Sequence, residues 1–102
     1  MTTAVFSKTR HMHSAVISGH ADFAKPDTVC AAASMLGCLL IEMLRNEKHF
    51  SFFISGAYIE LKAERDPRTD IIVATIKRGF EMLSKRYPEN VRVVNGGNTW
   101  KD

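Results

Sequence analysis

The chain is poor in cysteine, proline and tryptophan: 2, 3 and 1 of them among 102 residues. Two thiols are too few for a disulfide framework, which excludes the small secreted disulfide scaffolds, and a reducing compartment keeps both thiols free. A long hydrophobic run is also missing. The longest mostly apolar stretch, Val29 to Leu40, is broken by Ser34 and Gly37 and is too short to span a bilayer. The opening MTTAVFSKTRHMHS lacks the apolar core of a signal peptide. No membrane partner is therefore expected, and the expected location is cytoplasmic. Blocks of one charge are absent too. The 14 basic and 11 acidic side chains leave +3 with histidine neutral, and they are interleaved. That pattern lacks the basic stripe with aromatics that single-stranded nucleic acid requires, so no direct nucleic acid contact is expected. Cys-x-x-Cys and His/Glu clusters are missing as well. His11 and His13 of the HMH stretch would share one strand face about 7 Å apart. Zinc takes three or four ligands, so the pair is read as a solvated or partly packed strand face, with no metal and no cofactor expected. Internal repeats and low-complexity segments do not occur.

What is present is ordinary for one soluble globular domain: 45% hydrophobic and 25% charged residues. The domain is expected over residues 1–94. The Gly/Asn-rich NGGNTWKD, residues 95–102, reads as a mobile tail in which Trp100 has no evident partner. Short strands are expected at Ala4–Phe6 and His11–Ser18, the latter with His11, His13, Ala15 and Ile17 on one face. Asp27 is a helix N-cap candidate, and the helix it opens runs to about Asn46. Val29, Ala33, Leu36, Leu40, Met43 and Leu44 follow helical spacing and form its expected core stripe. Met35, Leu39 and Ile41 carry apolar groups beyond that stripe, which points to a second copy covering them in a homodimer. Phe50–Ser55 and Ala57–Glu64 are strand patterns divided by a Ser-Gly turn signal. RDPRTD opens a second helix, with Asp66 or Thr69 as cap, and Pro88 ends it. Val91–Val94 is a last strand. The order β-β-α-β-β-α-β gives an α/β fold: a small mixed sheet with two long helices on one face.

The chemistry concentrates in SGHADFAKPDTVCAAAS, Ser18 to Ser34. With Asp27 as N-cap, Cys30 lies in the first helical turn, where the helix dipole and unpaired N–H groups favour negative charge. His20 ends the preceding strand and can return over that helix start, giving the pattern of a nucleophile with its base. The free N–H groups of the turn can receive an oxyanion, and Ser34, four residues on, can hydrogen-bond the pair. The competing reading makes Cys30 a small buried hydrophobe of an Ala-rich helix. Cys38 lies about 12 Å along the same helix, too far for a disulfide with Cys30, and is read as core or interface.

SGHADFA followed by DTVCAAASML resembles the ribosomal-processing cysteine protease family, Prp. Gly19, His20, Ala21, Asp27, Cys30, Ala31, Ala32 and Ser34 match its pattern, and FEMLSKRYPENVRV resembles its closing helix and final strand. The resemblance spans about Ala4 to Val94. It implies Cys30 as nucleophile, His20 as base, and Asp27 and Ser34 as supporting residues. Gly19, Ala21 and Phe23, which border the base, are candidate substrate contacts. It further implies a homodimer that removes a short N-terminal extension from large-subunit ribosomal protein twenty-seven, cutting after an aromatic pair and before a small residue. The loop from His20 to Cys30 is shorter than is usual in that family, Pro26 stands directly before Asp27, and Thr28 replaces the usual isoleucine. An alternative reading is a non-cleaving homodimeric binding or assembly protein of the same fold that acts on ribosomal components or RNA.

Overall fold

The structure, a computed structural model, describes residues 1–21 and 27–98. Its elements are β1 (Thr2–Lys8), β2 (Met12–Ser18), α1 (Thr28–Leu44), β3 (Ser51–Ser55), β4 (Tyr58–Glu64), α2 (Pro67–Arg86) and β5 (Val91–Asn98). The strands form one five-stranded sheet in the order β3-β4-β2-β1-β5. Only β1 and β5 pair in parallel; the other neighbours are antiparallel. This is the mixed α/β architecture expected from the sequence.

Period-two patterning decides the sheet faces. Ala4 and Phe6 of β1, Ala15 and Ile17 of β2, and Ile59, Leu61 and Ala63 of β4 lie in cross-strand register and are buried. Ala33, Leu40 and Leu44 of α1 and Ile72, Ile76 and Phe80 of α2 close over them in the same core, so both helices cover one face. Phe6 and Phe80 meet with ring centroids 5.9 Å apart in a tilted pair. α1 approaches the sheet closely because Gly37 has no side chain. A Cβ there would stand 2.9 Å from Ile59 Cδ1 and 3.3 Å from Ile17 Cδ1.

Local signals set the helix starts. The Asp27 carboxylate accepts from the Cys30 N–H at 2.8 Å and caps α1. Asp66 caps α2 and Thr69 reciprocates: the Asp66 carboxylate accepts from Thr69 N–H at 2.8 Å, and Thr69 Oγ1 accepts from Asp66 N–H at 2.9 Å. Of the two cap candidates, Asp66 takes the position, because Pro67 must sit inside the first turn, where no N–H is needed.

The structure differs from the sequence reading at the last strand and along α1. The last strand does not stop at Val94 but continues to Asn98 along β1, so residues 95–98 are not tail; Trp100 lies outside the described residues. In α1, Met43 faces solvent while Gly37 and Ile41 are buried, so the core stripe runs Val29, Ala33, Gly37, Leu40, Ile41, Leu44. β3, finally, is exposed along its whole length. Phe52 and Ile54 stand opposite Leu61 and Ile59 on the helix-covered face, yet each is 48% exposed because α1 does not reach over the edge strand.

Candidate active site

The site forms where β2 ends against the start of α1. Gly19 follows β2 with φ +87°, a left-handed conformation that glycine adopts without strain. A Cβ there would also run into the Met1 carbonyl oxygen. Gly19 N–H donates to the Ala57 carbonyl at 2.9 Å, and the Gly19 carbonyl accepts from Thr2 Oγ1 at 3.2 Å. One residue beyond His20, the Ala21 carbonyl accepts from Asn90 Nδ2 at 2.9 Å. Thr2 and Asn90 are themselves tied, Thr2 N–H to Asn90 O at 2.9 Å. The backbone is thus held on both sides of His20, while the imidazole stays exposed.

Cys30 occupies the third helical position of α1 and is half-buried as a free thiol. Its Sγ lies 3.9 Å from His20 Nδ1. That is the long end of a sulfur hydrogen bond, a separation that commonly tightens when substrate binds. The pair borders a cleft of about 160 Å³ that Thr2, Ile17, Gly19, Ser34, Gly56 and Ile59 help to line.

The expected residues fall into different roles. His20 and Cys30 come together. The Asp27 carboxylate caps the nucleophile's helix turn and so takes up the Cys30 N–H, which is not free to receive an oxyanion. Ser34 lines the cleft, but among the described residues its hydroxyl bonds neither His20 nor Cys30. Gly19 lines the cleft; Ala21 does not, being buried with Val29 and Val91 in a small cluster behind the site. Phe23 lies outside the described residues. Cys38 is exposed on α1, which excludes the core for it. His13 is buried, with Nε2 2.6 Å from Asp70 Oδ1, and His11 stands outside the strand. Thr2 and Asn90 were not singled out by sequence reasoning. A threonine at a chain start and an asparagine before a strand carry no local mark, and only the parallel pairing of β1 with β5 brings them together.

A thiol in the first turn of a helix, facing an imidazole nitrogen across a small cleft, fits the class of hydrolases that work through a cysteine nucleophile. Comparison with known proteins gives the particular group. Residues 1–92 match the family model described as Cysteine protease Prp, and the chain belongs to that family of cysteine proteases. Similar solved structures agree in fold. One is an essential ribosomal processing protease Prp from S. aureus in complex with a covalently linked product peptide, with TM-score 0.76 and 20% identity over 93% of this chain and 99% of that one. The same S. aureus protease in complex with a substrate peptide gives TM-score 0.75 and 20% identity, with the same coverage. SMU.848 from Streptococcus mutans gives 0.68 and 21%, covering 93% of this chain and 95% of that one. No functionally curated protein matches the sequence.

Proposed function

We propose that this cysteine protease cleaves a ribosomal protein, using Cys30 as nucleophile and His20 as general base. The observation that carries the reading is the 3.9 Å approach of Cys30 Sγ to His20 Nδ1 in a chain of this family. His20 takes the thiol proton as the sulfur attacks the scissile carbonyl. The C–N bond then breaks, the imidazolium returns the proton to the leaving amine, and an acyl-thioester remains on Cys30. Water, deprotonated by His20, attacks the thioester, and the carboxylate product leaves as the thiol is restored. Thr2, Gly19 and Asn90 hold the base in place, and Asp27 fixes the turn that carries the nucleophile.

The proposed substrate is an N-terminal extension of large-subunit ribosomal protein twenty-seven, cut after an aromatic pair and before a small residue. The S. aureus protein of the same fold is a ribosomal processing protease, which supports this choice. A cleft of about 160 Å³ suits a small side chain beside the thiol better than a large one. We place the activity in the cytoplasm, within one domain, and in a homodimer. The dimer is supported by a run of exposed apolar side chains, Met35, Leu39 and Met43 on α1 and Phe52 and Ile54 on the neighbouring sheet edge. The test is incubation of the purified chain with the extended ribosomal protein, with mass spectrometry of the products. One cut that removes the extension supports the reading; an intact substrate overturns it.

A further inference from the structure

β3 is an edge strand, and no strand among the described residues pairs with its outer side. Phe52 and Ile54 project on the helix-covered face and Phe53, 56% exposed, on the opposite one. Proteins ordinarily shield an apolar edge with charge, proline or a covering element. β3 has none of these: it runs Ser51, Phe52, Phe53, Ile54, Ser55 and is exposed throughout.

The order of those residues fits a second copy of the same strand. Ser51 to Ser55 reads almost the same in both directions about Phe53, polar at the ends and apolar between. A two-fold contact requires such a self-complementary patch. With Phe53 on the axis of two antiparallel β3 strands, Phe53 faces its own copy, Phe52 faces Ile54 and Ser51 faces Ser55. Moving the axis by one residue either way sets phenylalanine against serine. Backbone groups agree with the same register. The two-residue turn Gly56–Ala57 is closed by the pair Ser55 and Tyr58. Such a turn bonds its closing pair, and bonded pairs alternate from there. Ser51, Phe53 and Ser55 thus point their N–H and C=O groups at β4, while Phe52 and Ile54 turn theirs outward, where the two copies exchange them. Phe52 is already held by stacking on Phe50, with ring centroids 5.6 Å apart. Pairing β3 with β5 of another copy would leave free edges and add copies without end; the two-fold pairing closes.

β3 also reaches the site. The tip of its hairpin, Gly56 and Ala57, lines the cleft beside Cys30. The Ala57 carbonyl accepts from the N–H of Gly19, the residue before His20, at 2.9 Å. Taking the chain as the homodimeric protease argued above, we propose that two copies join by antiparallel pairing of β3 about Phe53, and that this pairing steadies the Gly56–Ala57 tip that walls the cleft. An edge strand bonded on one side moves with its hairpin. A partner on the other side holds the tip, and with it Gly19.

Cross-linking tests the register. In a chain carrying Cys30→Ala and Cys38→Ala, Phe53→Cys is expected to link two copies by a disulfide under mild oxidation. Opposed residues of a non-hydrogen-bonded antiparallel pair have Cα atoms about 4.5 Å apart, within disulfide reach. Ser51→Cys alone and Ser55→Cys alone are expected not to link, because each position lies about 14 Å from its own copy; a mixture of the two is expected to link. Ile54→Pro removes an outward N–H and leaves the β4 ladder intact. It is expected to keep the parent's circular dichroism, to scatter light as a monomer, and to lower kcat/KM on the extended ribosomal protein about tenfold. A dimer that does not link at position 53, that links at 51 or 55 alone, or that survives Ile54→Pro overturns the pairing and leaves the homodimer standing. β3 amide hydrogens protected from exchange only after substrate peptide is added assign the edge to the substrate, and overturn the pairing as well. A monomeric Ile54→Pro chain with the parent's kcat/KM overturns the coupling to the site. A monomeric parent refutes the homodimer itself. A parent that links at position 53 and cleaves nothing supports the pairing and refutes the protease reading alone.

Discussion

Asn90 donates its side-chain amide to the Ala21 carbonyl at 2.9 Å, and by doing so clamps the residue next to the proposed base. The two lie 69 positions apart in the chain. Asn90→Ala leaves that carbonyl without its donor. The expected cost to stability is about 1 kcal/mol, the usual net worth of such a bond. The expected fall in kcat/KM is larger, about ten- to a hundredfold, because misplacement of a catalytic group by a fraction of an ångström is amplified in rate. A change of fold stability alone would leave the pH profile of Cys30 alkylation untouched. Asn90→Ala is expected to move that profile toward the one for His20→Ala.

Cys30→Ala is expected to abolish cleavage with the circular dichroism unchanged, since loss of a covalent nucleophile costs several powers of ten in rate. His20→Ala is expected to remove activity too, and to slow alkylation of Cys30 by iodoacetamide at neutral pH. Alkylation at the parent rate in His20→Ala would mean that the imidazole and the thiol do not act together, whatever their 3.9 Å separation.

Acid is expected to destabilise the fold through His13. Burial lowers the His13 pKa below 6.5 and outweighs the opposing pull of Asp70, while Arg65 and Lys8 push the same way as burial. The unfolded chain therefore takes up this proton at a higher pH than the folded one does. Stability is full above about pH 6.5 and falls as the pH drops through that value toward the lowered folded pKa. Asp70 acts in the same sense further down. Arg65 holds it below 3.8, so its contribution is present above that pH and is lost below its folded pKa. Urea unfolding at about pH 7.5 and about pH 5.5 is expected to give the lower stability in acid, and His13→Phe to flatten the difference. An unchanged slope in His13→Phe would assign the acid sensitivity elsewhere.

Leu39 is 43% exposed beside Met35 at 67%, on the face of α1 that runs toward the open edge of the sheet. Leu39→Lys places a charge in the middle of the proposed dimer contact. Light scattering at micromolar concentration is expected to report a dimer for the parent chain and a monomer for this variant. A monomeric parent would refute the assembly.

The strand and helix order was legible because each element carries its own periodicity. Met12 through Ser18 alternates, and Ile72, Ile76 and Phe80 recur at helical spacing. The place of the Cys30 thiol was legible because an N-cap aspartate three residues before a cysteine fixes its helix turn. The errors have a common source. Met43 and Ile41 are both apolar and two positions apart, so period alone cannot say which of them α1 buries; Gly37, which lets the helix settle onto Ile59, decides it. Val91 to Val94 looked like the whole strand because Asn95 and Gly96 are poor strand formers, yet parallel pairing with β1 carries the backbone on to Asn98. The role of Asn90 is non-local, and no window of sequence contains both it and Ala21.

The Thr2–Asn90 bond also sets an order of events during synthesis. A nascent chain that has emerged through α1 already carries the thiol and the imidazole, but not the turn after α2 that steadies them, nor the strand that pairs with β1. Contacts this distant along the chain form late, after the loop between them has closed. The Ala21 carbonyl therefore gains its donor only after Asn90, 69 positions further along, has been made.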